Sequence, residues 1–152
     1  MLLKNATMKN IILTTLLLIG FGMSSIGQNN PVAITISAQG QTIAVYLDSN
    51  NSTKTLVLTN EKNSEARLVI INPNAKKDAA YRRKYMLSGS KNKTINVAFA
   101  GRVAGSNFAL LDSIFSNTQK GKIYRLYTVA IPRNGVEAAK AKKVLLCNVV
   151  VK

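Results

Sequence analysis

Apolar residues recur at every second position through a series of short runs, and turn-forming residues separate the runs. Val32, Ile34 and Ile36 alternate with Ala33 and Thr35. Ile43, Val45 and Leu47 alternate with Thr42, Ala44 and Tyr46. Leu56 with Leu58, the set Ile95, Val97 and Phe99, the run Ile123 to Ile131, and Leu145, Cys147, Val149 and Val151 keep the same period. A period of two buries one face of a strand and wets the other. Between the runs stand Ala38-Gln39-Gly40, Asp48 to Thr53, Asn60 to Asn63, Asn72-Pro73-Asn74, Ser88-Gly89-Ser90 and Asn134-Gly135, all rich in residues that favour turns. Turn signals every 8–12 residues or so predict an all-β chain. We expect seven or eight antiparallel strands in an immunoglobulin-like β-sandwich over residues 28–152. No strand–helix alternation appears, which excludes a parallel nucleotide-binding sheet.

Some segments depart from the pattern. In Ala66 to Ile71, Leu68 and Ile70 face one way and Val69 and Ile71 the other, as in a central or covered strand. Phe108, Leu111 and Phe115 have helical spacing, with Leu110 and Ile114 beside them. Asp78 to Tyr85 reads as a short helix capped by Asp78, or else Lys84 to Leu87 is a strand. The Ala-rich Val136 to Lys142 reads as a helical turn in a connection.

The start of the chain has a different grammar. Lys4 and Lys9 precede an apolar run, Ile11 to Met23, and Ser24-Ser25-Ile26-Gly27 follows with small residues at the positions a signal peptidase reads. A membrane span needs about 20 apolar residues, and this run is shorter. The expectation is a secretory signal peptide over 1–27, cleaved after Gly27, with Met8 as an alternative start. The leader resembles those of secreted proteins of Gram-negative bacteria of the Bacteroidetes type, which implies a secreted or periplasmic location in the cell envelope.

A chain of 28–152 is one domain in size and can bury a core without covalent staples. Cys147 is the single cysteine, so no intrachain disulfide forms, and a buried strand thiol is expected. Of 21 Lys and Arg, Lys4 and Lys9 leave with the leader; the remaining 19 against six acids give +13. Such a charge speaks of partners rather than of fold, and directs the protein to anionic surfaces.

The composition removes much chemistry. Without His there is no Ser-His-Asp or Cys-His nucleophile and no imidazole-based zinc or copper site. Asp48 with Asn50 and Asn51 is the nearest approach to a calcium loop, and a turn explains it better. No glycine pattern marks a phosphate loop. The absence of Trp removes the signature of true antibody-type domains. The expectation is no enzyme, no cofactor, no metal and no specific nucleic acid.

What remains is a basic stretch. Lys76, Lys77, Arg82, Arg83, Lys84, Lys91 and Lys93 fall within eighteen residues against one acid, Asp78, and Tyr81 and Tyr85 flank the Arg82-Arg83-Lys84 triplet. The cations are anion-binding candidates, because Arg grips phosphate or carboxylate with paired hydrogen bonds. The tyrosines are stacking candidates. Arg125, between Tyr124 and Tyr127, repeats the theme. The bland alternative is a solvated loop. Three functions follow: a non-catalytic binding module for acidic glycan or lipopolysaccharide, an assembly subunit that pairs with an envelope protein through a strand edge such as Leu145 to Lys152, and, least of all, a small hydrolase. The closing residues from Lys142 loosely resemble the C-terminal sorting domains of Bacteroidetes secreted proteins, which implies a secretion role for such a strand.

Overall fold

The computed structural model describes residues 33–61, 65–76, 81–103, 105–133 and 141–152. The leader, Lys77, Asp78 and most of the Ala-rich connection lie outside the described residues. The described residues form ten strands: β1 (Ile34–Ala38), β2 (Gln41–Val45), β3 (Thr55–Leu58), β4 (Arg67–Ile71), β5 (Tyr81–Ser88), β6 (Thr94–Ile95), β7 (Ala100–Val103), β8 (Ser106–Leu110), β9 (Ile123–Pro132) and β10 (Lys143–Val151). One helix, α1 (Leu111–Asn117), follows β8. The strands make two five-stranded sheets. The first runs β2-β1-β4-β8-β7 and the second β3-β10-β9-β5-β6. The all-β expectation holds in this form.

The alternating residues of the two sheets meet in one apolar cluster. Ile34 and Ile36 of β1 and Leu68 and Ile70 of β4 are buried with Leu56 and Leu58 of β3, Leu126 of β9 and Val149 of β10. Full burial of such a side chain stabilises by about 1.5–3 kcal/mol each. Leu111 and Ile114 of α1 join the cluster, and Phe115 packs on it. The helical spacing therefore begins one element later than expected, because Phe108 belongs to β8. β4 is central in its sheet, but its second face is only half covered, with Ile71 45% exposed.

The first hairpin turns on Gln39 and Gly40, both at positive φ (51° and 73°). A two-residue turn of this kind matches the twist of the flanking strands and ordinarily favours Asn-Gly. Gln39 stands there instead, and its side chain has another use. Its Nε2 donates to the Thr59 carbonyl and its Oε1 accepts from the Thr59 N–H at 2.8 Å. Gln41 treats Val57 in the same way. Two amide side chains thus act as a surrogate strand, joining the β2 edge of one sheet to the β3 edge of the other. The buried Asn51 extends this closure, its Nδ2 donating to the carbonyls of Tyr46 (2.8 Å) and Leu145 (3.1 Å).

Several expectations are corrected here. Ten strands replace seven or eight, because β7 and β8 arise where no strand was expected, and the run Ile95 to Phe99 is not one strand. Thr94–Ile95 pairs with β5 in the second sheet, and the chain then crosses to enter the first sheet as β7. The sheets are not purely antiparallel, because β3 runs parallel to β10. Tyr81 to Tyr85 is strand and not helix. The final run is not an edge either: β10 lies between β3 and β9 and is bonded on both sides. Among the described residues no helix is long and apolar enough to cross a membrane.

Candidate functional site: the open edge of β5

β5 pairs with β9 along its whole length on one side. On the other side only Leu87 and Ser88 have partners, in β6. From Tyr81 to Met86 no strand pairs with this edge among the described residues. Beside it lies a cleft of about 480 Å³, lined by Arg82, Arg83, Lys84 and Tyr85 of β5, Ile131 of β9, Asn107 of β8, and Val97 and Phe99 of the crossing segment. Departure of the chain after β6 both removes a neighbour from β5 and supplies the apolar wall.

Strand geometry divides the basic triplet. Arg82 and Lys84 are exposed and share the outward face with Met86, while Arg83 is half-buried and points inward in line with buried Tyr85 and Leu87. Tyr85 is 5% exposed, and its ring packs on Phe99 with centroids 5.6 Å apart. Its hydroxyl is shut from water and makes no well-formed hydrogen bond. Burial raises its pKa; the positive Arg83 and the facing side chain of Asn107 work in the opposite direction without cancelling the rise. Across the β5–β9 ladder, the fully buried Thr128 Oγ1 also lacks a hydrogen-bond partner. Asn107 is accommodated because its partner in β7 is Gly101, where a Cβ would come within 3.1 Å of Asn107 Oδ1.

This end of the interior is therefore polar: a guanidinium, a phenol, an amide and a hydroxyl beside a mainly aliphatic core. No carboxylate lines the cleft among the described residues. Cations at the mouth and a buried hydrogen-bond donor behind them can receive an anionic oxygen group. A buried donor left without a partner costs about 1–3 kcal/mol, which a ligand that satisfies it recovers.

The remaining candidates lie elsewhere. Tyr81 is 46% exposed at the start of β5, opposite Pro132. Lys91, in the 3-10 turn Ser90–Asn92, and Lys93 follow the far end of β5, roughly 25 Å along the strand from Tyr81. Lys93 lines a second depression of about 420 Å³ with Lys122, Gln119 and Tyr124. Lys76 ends a short 3-10 turn ahead of β5. Arg125 is exposed on the outward face, whereas Tyr124 is buried on the other, so the two do not act together; Tyr127 shares the Arg125 face. Asn107 carried no sequence signal, and Ile131 and Phe99 were readable only as strand residues.

Among the described residues no group of three or more Cys, Asp or Glu is placed to hold a metal. Cys147 is fully buried, and burial pushes its thiol up to about 12. Comparison with protein-family models, curated proteins and solved structures gave no match.

Proposed function

We propose that this protein is a secreted or periplasmic, non-catalytic binding module of the Gram-negative cell envelope that holds an anionic group of an acidic glycan or lipopolysaccharide in the β5 cleft. In this reading residues 1–27 are a cleaved signal peptide, and the two sheets are the layers of an immunoglobulin-like sandwich. The observation that carries it is the meeting, in one cleft, of Arg82, Arg83 and Lys84 with a buried Tyr85 hydroxyl that faces Asn107 without a well-formed hydrogen bond. A solvated basic loop would scatter its cations and bury no donor behind them. The triple replacement of Arg82, Arg83 and Lys84 by Ala tests the reading. Binding to a polyuronate or to lipopolysaccharide, followed by calorimetry across a salt series, should weaken at least tenfold, and its salt dependence should flatten. Unchanged affinity would sink the proposal.

A second reading has its own support. The outer edge of Tyr81–Met86, beside which no strand lies among the described residues, offers backbone donors and acceptors to a strand of an envelope partner. Such a complex would persist at high salt, where a glycan complex dissociates. A hydrolase without His has no support of this kind.

A further inference from the structure

The outward face of the second sheet, on the side away from the core, carries a pattern that reaches beyond the cleft and shares its lining only at Arg82, Lys84 and Ile131. The ladder registers fix it row by row. Val57, Val150 and Ile123 lie across β3, β10 and β9; next come Asn148, Arg125 and Ser88; then Leu145, Tyr127 and Met86; then Lys143, Val129 and Lys84; and last Ile131 with Arg82. Rows of this kind are roughly 7 Å apart, and neighbouring strands roughly 5 Å. Cationic and apolar rows interleave over a surface four strands wide. No strand of this sheet contains an acidic residue.

The side chains have the matching exposures. Arg82, Lys84, Arg125 and Lys143 are exposed. Ile123 is 62% exposed, and Val57, Val150, Leu145, Tyr127 and Met86 are half-buried. Val129 is 8% exposed yet stands outside the core cluster, between Lys84 and Lys143 in register, as expected where long cationic stems lie over an apolar residue. Lys143 Nζ sits 5.8 Å above the Tyr127 ring.

We propose that this face docks on a bilayer surface carrying anionic lipid headgroups, with Arg82, Lys84, Arg125 and Lys143 against the headgroups and Ile123 with Val150 at the acyl boundary. Charge complementarity selects the occupant's sign. The apolar rows select a bilayer over a dissolved polyanion, which would leave Ile123 in water. A second copy of this chain brings the same cations to the contact and is repelled.

The surface is separable from the cleft, since Arg125, Lys143 and Ile123 do not line it. The test is sedimentation of the purified protein with mixed phosphatidylcholine–phosphatidylglycerol vesicles, against pure phosphatidylcholine. The mixed vesicles should bind and the neutral ones should not. Arg125→Gln with Lys143→Gln should lower the partition roughly 25-fold, at about one kcal/mol per cation near an anionic surface. Ile123→Ser should lower it roughly fivefold, and both variants should keep their polyuronate affinity and thermal midpoint. Three results would overturn the proposal: no binding to anionic vesicles, vesicle binding unmoved by Ile123→Ser, or loss of vesicle and polyuronate binding together in the Arg125/Lys143 variant, the mark of one diffuse field. If the cleft binds no polyuronate even in the parent, the vesicle measurements still decide this face by themselves.

Discussion

The two sides of this β structure end in opposite ways. Where β2 and β3 lie side by side, Gln39 and Gln41 fasten the edge of one sheet to the edge of the other, and Asn51 ties the next loop to β10. Where β5 and β7 lie, the chain crosses between the sheets, and beside the outer edge of Tyr81–Met86, opposite β9, no strand lies among the described residues. Natural sheets blunt such edges with charge, and Arg82, Arg83 and Lys84 serve that purpose whatever else they do. A purely defensive edge, though, needs only outward charges. Here Arg83 turns inward beside a buried phenol, and a cleft runs along the edge. Closure on one side thus uses neutral amides bonded to main chain, while the other side keeps positive charge beside a buried phenol.

Five variants test that contrast. The largest effect belongs to the closed side, at Cys147 in β10. Its thiol ionises near the usual value in the unfolded chain and at about 12 when folded. The folded state thus holds a proton that the unfolded state has lost above about pH 9, and stability falls as pH rises from there toward 12. The slope is about 1.4 kcal/mol per pH unit, roughly 4 kcal/mol in all. Urea midpoints across that range should fall more steeply in the parent than in Cys147→Ala, compared as slopes because the cavity in the variant lowers its stability at every pH. Equal slopes would mean that the closed side admits water.

Next, Gln39→Ala with Gln41→Ala should cost about 2–4 kcal/mol in urea unfolding, at about 1 kcal/mol per lost bond, and leave polyuronate binding intact. Asn51→Ala should cost about 2 kcal/mol, because two main-chain carbonyls lose their donor. On the open side the signs reverse. Arg82→Ala with Lys84→Ala should move stability by no more than about 0.5 kcal/mol while lowering affinity for the anion. Tyr85→Phe removes a buried hydroxyl that makes no well-formed hydrogen bond, so its stability should stay level or rise at neutral pH. The Tyr85 phenol is held neutral in the fold, so its contribution is present below about pH 10 and lost as pH rises beyond it; the variant should lack that part of the alkaline decline.

The sequence carried the strands well because a half-buried strand writes its period of two directly into the chain. β1, β3, β9 and β10 were readable from Ile34, Leu56, Ile123 and Cys147 onward for that reason. The division of Ile95 to Phe99 was not readable, since a chain that crosses between sheets keeps burying alternate residues: Val97 remains 8% exposed without a ladder. The parallel β3–β10 pair rests on contacts some 90 residues apart, which no local pattern encodes. At the site, the Arg82-Arg83-Lys84 triplet and its flanking tyrosines stood out as a charge run. Its partition into outward and inward cations depended on choosing strand over helix, and Asn107 came to Tyr85 only through the first sheet. Lys91 and Lys93 belonged to the same run in sequence and to a different end of β5 in space. Gln39 was hidden in a turn signal, because its bonds reach Thr59 across two sheets.

The central claim is that the open side, and not overall charge, holds the anion. A titration of isotope-labelled protein with a soluble polyuronate, read by amide chemical shifts, measures this residue by residue. The predicted result is saturable shifts concentrated at Arg82 to Tyr85, Val97, Phe99, Asn107 and Ile131, with the Gln39, Gln41, Val57 and Thr59 amides unmoved. Shifts spread evenly over every lysine of the surface, or absent from β5, would contradict it.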